Sequence, residues 1–287
     1  MEAEDLLERA ESVLAASPSI DHWQRDRERI EAEELLAHAL GHDFDLDDDI
    51  STAAARKFDA LIKRRAKGEP IPYIKGYAEF RGLKLTTKHG VFVPRDSTEF
   101  MVEQAVRRLA RRPKPIVVDI ASGGGTVALA IAHEVPRAEV FGTDIAEDAV
   151  KLARANARRL GVRATFVRGD LFKPLPKRIE GSVDAITLHP PYVAKGELGE
   201  LPDEIRRFEP VHTLSDRSVD GLGLVDRTAT AAATWLRPGG WLIVEVSPDR
   251  SRGVASKFRA AGLTEVRSTK GGELKVTRVV LGRRPRD

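Results

Sequence analysis

Residues 116–134 read IVVDIASGGGTVALAIAHE, and this stretch decides the fold class. An apolar run ends near three adjacent glycines, Gly123, Gly124 and Gly125, and an apolar helical pattern begins at Thr126. The glycines lack side chains, so a ligand can approach the backbone, and the first turn of the helix offers free N–H groups. Open α/β sheets bind ligands beyond the carboxyl ends of their strands. The turn therefore predicts a site for a nucleotide-like ligand rather than a merely flexible connection.

The same strand-to-helix alternation continues along the chain. Its further members, in order, are EVFGTDI, EDAVKLARANARRLG, TFVRGD and VDAITL. Parallel strands linked by right-handed crossovers produce such alternation. The last apolar runs are WLIVEV and the end pieces LTEVRST and KVTRVVLG, of which the final two are predicted to form an antiparallel pair. The sequence therefore predicts a doubly wound, Rossmann-like α/β domain.

The segment from Glu4 to about Lys67 has a different periodicity. Its apolar residues recur at helical spacing in three runs, of which the second is closed by Gly41 and the third by Gly68. The members are Leu6, Leu7, Ala10, Val13, Leu14, Ile30, Leu35, Leu36, Ala39, Leu40, Phe58, Leu61 and Ile62. Three amphipathic helices of this kind predict a small helical bundle.

The next segment changes to a period of two. Apolar residues alternate at Phe80, Leu83 and Leu85, and a second apolar run, residues 91–93, follows the turn at residues 89–90. We therefore predict a β-hairpin between the bundle and the α/β domain.

These patterns divide the chain into three parts. Residues 1–75 are the helical domain, residues 76–98 the hairpin linker and residues 99–287 the α/β domain. Ser97 or Thr98 is predicted to cap the helix that opens the third part.

Composition excludes several classes of protein. The chain has 47 Lys and Arg against 44 Asp and Glu, and the resulting net charge of +3 does not call for direct nucleic-acid binding. The absence of cysteine excludes disulfides and thiolate metal sites, and it suits a cytoplasmic protein. The histidines form no ligand cluster, so no metal is expected. The N-terminus is acidic and no apolar stretch reaches membrane-spanning length, so no membrane partner is expected.

Two acids end strands beside the glycine turn. Asp144 ends the second strand, where a carboxylate can accept both hydroxyls of an adenosine ribose; the alternative is a cap for the helix that starts near Ala146. Asp170 ends the third strand, where an acid and the neighbouring Leu171 can hold the edge and face of an adenine. A cap or a turn is nearly as good an interpretation of Asp170.

The fourth strand ends in His189-Pro190-Pro191-Tyr192. Two consecutive prolines fix the backbone and leave carbonyl oxygens without a local amide partner, while the tyrosine supplies a flat face. This corner is a site for a planar polar group. The glycine turn also satisfies the loose dinucleotide fingerprint G-x-G-x-x-A, but a nicotinamide enzyme has no evident use for the corner.

Further motifs occur in a fixed order around these two sites. They are Phe80-Arg81-Gly82-Leu83, Val93-Pro94-Arg95-Asp96-Ser97-Thr98-Glu99, Phe208-Glu209-Pro210 and Asp220-Gly221-Leu222. With them, the chain resembles the HemK/PrmC protein-glutamine methyltransferases from about residue 5 to the C-terminus. The resemblance implies a helical substrate-recognition domain, a seven-stranded methyltransferase domain and S-adenosylmethionine as donor. It implies as acceptor a glutamine side-chain nitrogen of a protein such as a release factor or a ribosomal protein.

The resemblance and the residue patterns together give a predicted site. The donor-binding residues are Asp119, Ala121, Ser122, Gly123, Gly124, Gly125, Asp144, Ile145, Asp170 and Leu171. The catalytic residues are His189, Pro190, Pro191 and Tyr192. The predicted substrate-binding residues are Arg95, Glu99, Glu209 and Pro210. The first two are expected to brace the pocket or the seam between domains, unless they form simple salt bridges, and the last two to shape a lid over the acceptor.

Two positions depart from the family pattern. The family turn begins with a glycine where this chain has Ala121, a small change that the donor can tolerate. The family reads Asn-Pro-Pro-Tyr, and its asparagine oxygen, with a proline carbonyl, accepts the two hydrogens of the substrate amide. This chain has His189 in that place. A neutral His189 supplies one acceptor nitrogen, whereas a protonated one donates and repels both the amide hydrogens and a cationic donor.

The substitution leaves three hypotheses. In the first, the chain methylates glutamine with His189 as the acceptor of an amide hydrogen. In the second, it is a diverged paralogue that methylates a hydroxyl or ring nitrogen with His189 as general base. In the third, it binds the donor or a protein partner without turnover.

Overall fold

The computed structural model describes residues 1–22, 26–270 and 277–286. The chain begins with helices α1 (Ala3–Ala15), α2 (Arg27–Leu40) and α3 (Thr52–Arg65), whose apolar faces share one core.

Two residues predicted for these apolar faces are exposed instead: Val13 is 44% exposed and Ile30 is 51% exposed. Nine residues advance a helix by two and a half turns, so Ile30 lies opposite the buried Ala39. Val13 lies at the edge of the buried stripe of α1.

A short helix that the sequence pattern did not predict follows the bundle. Helix α4 (Ile71–Lys75) begins directly after Pro70 and carries a second proline in its first turn. Proline is well suited to that turn, because its fixed φ is helical and its missing N–H would have no partner there. The two prolines therefore start a helix, and Tyr73 on it donates a hydrogen bond to the carbonyl of Val91 at 2.7 Å.

The hairpin consists of β1 (Tyr77–Phe80) and β2 (Leu83–Thr86), which pair in antiparallel register. Its turn lies at Arg81 and Gly82, with φ values of 47° and 74°. Two central residues with positive φ match the twist of the flanking strands. The prediction that residues 91–93 form a hairpin strand is wrong, because this tighter turn already closes the hairpin; residues 91–93 instead form an irregular segment.

The predicted doubly wound sheet is confirmed. Its strands and helices are α5 (Glu99–Leu109), β3 (Ile116–Ile120), α6 (Thr126–Glu134), β4 (Glu139–Asp144), α7 (Glu147–Leu160), β5 (Thr165–Arg168), β6 (Val183–Leu188), α8 (Asp203–Phe208), α9 (Val211–Leu214), α10 (Gly223–Trp235), β7 (Leu236–Val246), α11 (Ser251–Ala260), β8 (Thr264–Lys270) and β9 (Arg278–Arg283). Seven strands lie in the order β5-β4-β3-β6-β7-β9-β8.

Five of these strands are parallel, and β9 pairs antiparallel with both β7 and β8. The predicted antiparallel pair at the C-terminus is thus present, although Lys275 and Val276 of that prediction lie outside the described residues. Helices α5 to α7 contribute to the core on one face of the sheet, and α10 and α11 to the core on the other. Strand β3 has β4 as its neighbour on one side and β6 as its neighbour on the other, so the strand order reverses at β3. This switch point opens a crevice at the carboxyl ends of β3 and β6.

None of the helices in the described part of the chain combines the length and apolar character needed to cross a membrane.

Candidate functional site

A cavity of about 580 Å³ lies at the switch point of the sheet. Among the residues that line it are all but two of the predicted donor-binding and catalytic residues: Asp119, Ala121, Ser122, Gly123, Gly124, Asp144, Ile145, Asp170, Leu171, His189, Pro190 and Pro191. We call it the donor cavity. The structure thus brings together residues that lie up to about 70 positions apart in the sequence.

Gly125 does not line the donor cavity but is needed behind it. Its φ is 90°, and a Cβ atom there would lie 2.9 Å from the ring of Phe166 and 3.1 Å from both Ala153 and Leu129. A side chain at this position would push α6 away from the core. By contrast, nothing lies within 4 Å of a Cβ built on Gly123, so the turn is bare on the side where a ligand can approach.

Asp144 ties the end of β4 to the glycine turn. Its Oδ2 accepts a hydrogen bond from the N–H of Gly123 at 2.9 Å, and its Oδ1 accepts one from the N–H of Ala146 at 2.8 Å. The contact with Ala146 is the one that the alternative interpretation, a cap for α7, requires. Each carboxylate oxygen has a further lone pair, so these bonds leave room for a ribose hydroxyl.

Asp119 is buried beneath the turn. Its Oδ1 accepts a hydrogen bond from Thr187 Oγ1 at 2.7 Å, and burial raises its pKa to about 7 despite that bond. Two hydroxyls that line the cavity, Ser122 Oγ and Thr143 Oγ1, have no hydrogen-bond partner within the described residues. Buried polar atoms without partners are rare in folded proteins. Ser122 Oγ lies close to Gly142 of β4, so it is directed at the sheet.

Asp170, which lines the donor cavity, pairs with two basic side chains. Both of its carboxylate oxygens accept hydrogen bonds from Arg227 at 2.6 Å, and Oδ2 also accepts one from Lys173 at 2.9 Å. These bonds, that from Arg227 above all, lower the pKa of Asp170. The predicted contact with an adenine edge would therefore have to share the carboxylate with Arg227, and it stays a prediction. Leu171 lies beside it with a φ of 53°.

His189 lies at the inner end of the donor cavity with 16% of its side chain exposed. Its Nδ1 is 3.2 Å from Thr98 Oγ1 and 3.9 Å from Glu245 Oε2. Phe92 meets the imidazole edge to face with ring centroids 5.4 Å apart, and Tyr192 lies nearly parallel to it at 6.0 Å. Burial lowers the pKa of His189, Glu245 acts in the opposite direction, and Arg95 lowers the pKa further. The imidazole is thus neutral at neutral pH.

The prolines at the corner differ in their hydrogen bonds. The carbonyl of Pro191 accepts from the N–H of Asp216 at 3.2 Å, a partner from a distant part of the chain, so this carbonyl has no local amide partner but is not free. The backbone of Tyr192 packs against Gly221, where a Cβ atom would come within 2.1 Å of the Tyr192 carbonyl oxygen. The loop that contains Gly221 therefore holds the corner in place through close backbone contact.

A second cavity, of about 730 Å³, lies between the helical bundle, residues 92–97 and the loops that follow β6. We call it the acceptor cavity. It shares with the donor cavity the residues Phe92, Pro94, Arg95, His189, Pro190 and Thr213. Tyr192 and Glu209 also line it. The two cavities therefore meet at the first two residues of the His-Pro-Pro-Tyr corner.

A buried ion network forms one wall of the acceptor cavity. Arg65 is 1% exposed, and its guanidinium donates to Glu31 Oε2 at 2.7 Å and to Glu204 Oε2 at 2.7 Å. Arg27 donates to the same two carboxylates. Burial alone raises the pKa of Glu204, but hydrogen bonds and charge from the two arginines outweigh it and lower the pKa. The network links α2 and α3 to α8.

The four residues predicted for the acceptor side do not lie together. Arg95 pairs with the buried Glu209, whose pKa is raised by burial although the guanidinium opposes that shift, and both line the acceptor cavity. Glu99 lines neither cavity and accepts a hydrogen bond from the N–H of Arg81 at 3.0 Å, so it braces the hairpin turn. Pro210 also lines neither cavity.

Three side chains at the corner were not predicted as site residues. Ser97 and Thr98 were expected to cap α5, but neither makes a capping bond: Ser97 Oγ donates to Glu245 Oε1 at 3.0 Å and Thr98 Oγ1 contacts His189. A three-residue 3₁₀ turn, residues 96–98, precedes α5 and points the hydroxyls inward. Glu245 carried a signal that could have been used, since it is the one charged residue in the apolar strand WLIVEV.

Comparisons with known proteins agree with this arrangement. Residues 5–76 match the PrmC N-terminal domain family, and residues 117–208 match a methyltransferase domain family. A release factor glutamine methyltransferase of Geobacter sulfurreducens is 37% identical over 242 residues, which cover 83% of each chain. One from Bordetella pertussis is 37% identical over 248 residues, covering 84% of this chain and 89% of the relative.

Solved structures show the same fold at lower identity. A methyltransferase from Pyrococcus furiosus, 16% identical, superposes with a TM-score of 0.51 over 71% of this chain and 90% of its own. A 16S rRNA methyltransferase from T. thermophilus in complex with AdoMet and guanosine, 19% identical, gives a TM-score of 0.51 over 72% of this chain and 49% of its own. Fold, site and relatives together show that the chain is an S-adenosylmethionine-dependent methyltransferase and belongs to the release factor glutamine methyltransferase (HemK/PrmC) family.

Proposed function

We propose that this enzyme transfers a methyl group to the side-chain amide nitrogen of a glutamine in a peptide chain release factor. The observation that carries the proposal is the meeting of the two cavities at His189 and Pro190. One cavity is lined by the glycine turn and by Asp144, and the other by polar side chains of both domains. A donor and a protein side chain can therefore approach the same corner from opposite sides.

The donor cavity fits S-adenosylmethionine. The bare main chain of the turn and the carboxylate of Asp144 offer contacts to a ribose and to the polar groups of an amino acid. When bound, S-adenosylmethionine supplies an electrophilic methyl group on a positively charged sulfur. The remaining work, which is to position and desolvate the acceptor, belongs to the residues of the corner.

An amide nitrogen is a weak nucleophile, because its lone pair is delocalised into the carbonyl group. Orientation is therefore the main contribution that the protein can make. We propose that the carbonyl of Pro190 and a nitrogen of neutral His189 each accept one hydrogen of the amide, and that the ring of Tyr192 covers the amide plane. Burial raises the pKa of Tyr192 to about 12, so its ring stays neutral at neutral pH.

The helical domain is proposed to select the protein substrate. Helices α2 and α3 supply Arg27, Glu31, Glu34 and Arg65 to the wall of the acceptor cavity. A substrate loop that enters this cavity would contact residues 1–75 before its glutamine reaches the corner. A ribosomal protein is the second candidate acceptor, and it would use the same entrance.

The test is methylation of a purified release factor, followed by mass spectrometry of its peptides. The proposal expects one added methyl group on a single glutamine, and no addition when that glutamine is replaced by glutamate. A ribosomal protein fraction is assayed in parallel. Methyl transfer to another residue type in either substrate would contradict the proposal and favour His189 as a base for a different acceptor.

His189→Asn gives a sharper comparison. An asparagine oxygen accepts an amide hydrogen but cannot take up a proton, so glutamine methylation should survive this change within about tenfold, the worth of one hydrogen bond. Complete loss, with donor binding intact in calorimetry, would favour a reaction that depends on a base. His189→Leu, which removes the acceptor altogether, is the matched control and should be inactive.

A further inference from the structure

We infer that Glu245 and Thr98 are positioning residues that hold the proton of His189 on Nδ1 and thereby keep the lone pair on Nε2 for the methyl acceptor. The inference deepens the proposed function, on which its catalytic meaning rests. It assigns to both residues a role that acts through His189: Glu245 lines neither cavity, and Thr98, which lines the donor cavity, contacts the imidazole.

The first observation is the placement of Glu245 on β7. The residue is fully buried, with 0% exposure, and its Oε1 accepts a hydrogen bond from Ser97 Oγ at 3.0 Å. Its Oε2 is buried and has no hydrogen-bond partner within the described residues, and it lies 3.9 Å from His189 Nδ1. A buried carboxylate oxygen without a donor is unfavourable, so an N–H directed towards it is stabilised.

The second observation is the contact with Thr98, which is 3% exposed. Its Oγ1 lies 3.2 Å from the same nitrogen. A hydroxyl can accept from an N–H or donate to a bare nitrogen, so Thr98 alone does not choose the tautomer. Glu245 chooses it, because a carboxylate facing the lone pair of a bare Nδ1 is repelled, whereas one facing Nδ1–H is attracted.

The third observation is the direction of the other nitrogen. The two nitrogens lie on different edges of an imidazole, so a ring with Nδ1 directed at Thr98 and Glu245 turns Nε2 away from both. Phe92 meets the ring edge to face and Tyr192 lies parallel to it, and these contacts restrict its rotation. His189 lines both cavities, so the lone pair of Nε2 is available where they meet.

The charged and titratable groups around His189 come from three segments. Glu245 lies on β7, Arg95 precedes the 3₁₀ turn, and Tyr192 follows in the corner itself. Arg95 disfavours a second proton on the ring, and Glu245 favours one. At rest the ring is neutral, and the carboxylate is placed to stabilise an imidazolium that forms during turnover.

The proposed reaction releases a proton near His189. Methylation of a glutamine amide replaces one of its two N–H bonds by an N–CH₃ bond, so one proton leaves the nitrogen for each methyl group that arrives. His189 Nε2, which accepts one amide hydrogen, can take that proton and later release it to water. An asparagine at the same position would accept the hydrogen bond and leave the proton to pass to water directly, so the route through His189 assists the transfer but is not required for it.

The direct test is the tautomer of His189 in the full-length protein with the demethylated donor product bound. Selective ¹⁵N labelling of histidine and long-range ¹H–¹⁵N correlation distinguish a protonated from a bare ring nitrogen, and the signals lost in His189→Asn assign the residue among the seven histidines. We expect Nδ1 protonated and Nε2 bare at neutral pH. A proton on Nε2 in the unmodified protein would overturn the inference, whatever substrate the enzyme methylates.

Variants then separate positioning from structure. Glu245→Gln should shift the tautomer population towards Nε2–H and reduce kcat for methyl transfer on the order of tenfold, because the ring loses its attraction to a nearby buried carboxylate. Glu139→Gln, which removes an exposed carboxylate from β4, should change neither. Thr98→Val should reduce kcat, and Thr98→Ser, which restores the hydroxyl, should recover it. If Glu245→Gln does not fold, the Thr98 pair provides the test.

The readouts distinguish two kinds of failure. If the tautomer is as expected but no release factor or ribosomal protein gains a methyl group on glutamine, the proposed function fails and the assignment of the proton stands. If glutamine is methylated and Glu245→Gln changes neither the tautomer nor kcat, the inference fails and the proposed function stands.

Discussion

The donor cavity and the acceptor cavity are built in different ways. The donor cavity is formed by the ends of neighbouring strands and by one turn, and much of its surface is backbone and small side chains. The acceptor cavity is lined by ionised side chains from the helical bundle, the hairpin and the loops after β6, which are paired across long sequence separations. Backbone geometry thus forms the donor cavity, whereas charge pairing between segments forms the acceptor cavity.

This difference explains why one fold can serve many acceptors. The donor site depends on a turn and an acid that any sheet of this topology can supply. The acceptor site depends on which side chains the helical domain and the loops bring to the corner. Changes in the two cavities should therefore have separable effects on donor binding, on stability and on transfer.

The largest effect is expected for Arg65→Met at the wall of the acceptor cavity. The change leaves two buried carboxylates, Glu31 and Glu204, with only Arg27 as a shared partner, and it should lower the free energy of unfolding by about 3 kcal/mol. Urea unfolding followed by circular dichroism measures it. Arg56→Met, on the exposed side of the same helix, is the control and should change stability by less than about 0.5 kcal/mol. Equal values for the two variants would refute a structural role for the network.

A smaller effect, confined to the donor cavity, is expected for Asp144→Ala. The change removes the acceptor for the N–H of Gly123 and the proposed partner of the ribose, so donor affinity should fall at least about tenfold. Isothermal titration calorimetry with the demethylated donor product measures this directly. Asp148→Ala removes an exposed acid from the first turn of α7 and should leave the affinity unchanged. Unchanged affinity in Asp144→Ala would contradict the predicted role of this acid.

The pH dependence of transfer links the two cavities. The proposed hydrogen bond from the substrate amide to His189 requires a neutral imidazole, and burial lowers the pKa of this residue below its ordinary 6.5. Because the folded pKa is depressed, kcat/KM should stay level as the pH falls from 8 to 6.5, and should decrease about tenfold per unit only below the depressed pKa. In His189→Asn this acidic limb should disappear. A limb that begins above pH 6.5, or one that persists in the variant, would assign the titration to another group.

The smallest effect is expected for Ala121→Gly in the donor turn. Ala121 has a φ of 53°, a region that costs a residue with a Cβ on the order of 1 kcal/mol. Glycine removes this cost but gains entropy in the unfolded chain, so the two contributions should cancel to within about 0.5 kcal/mol. Ala60→Gly, at an exposed position in the middle of α3, should instead destabilise by about 1 kcal/mol. If Ala121→Gly lowered the free energy of unfolding by as much, the backbone strain inferred at Ala121 would be contradicted.

Local patterns predicted the elements that form the donor cavity. The apolar run IVVDI, the adjacent glycines and the helical pattern after them are each visible within a few residues, so they could be placed although the pairing of β3 with β4 and β6 is not local. The local patterns gave wrong predictions where another contact in the folded protein was formed in place of the predicted one. The turn at Arg81 and Gly82 closed the hairpin before residues 91–93 could join it, and Ser97 and Thr98 bonded to Glu245 and His189 rather than to the first turn of α5.

The sequence by itself determined the sheet, the glycine turn, the acid at the end of β4 and the rigid diproline corner, because each is fixed by backbone chemistry over a few residues. Only the tertiary structure decided what His189 faces. Glu245 lies 56 positions beyond it in the numbering and Thr98 lies 91 positions before it, and the sheet order and the 3₁₀ turn bring both to one imidazole nitrogen. A hydrogen bond depends on distance and direction in space, and no local pattern in the chain records either.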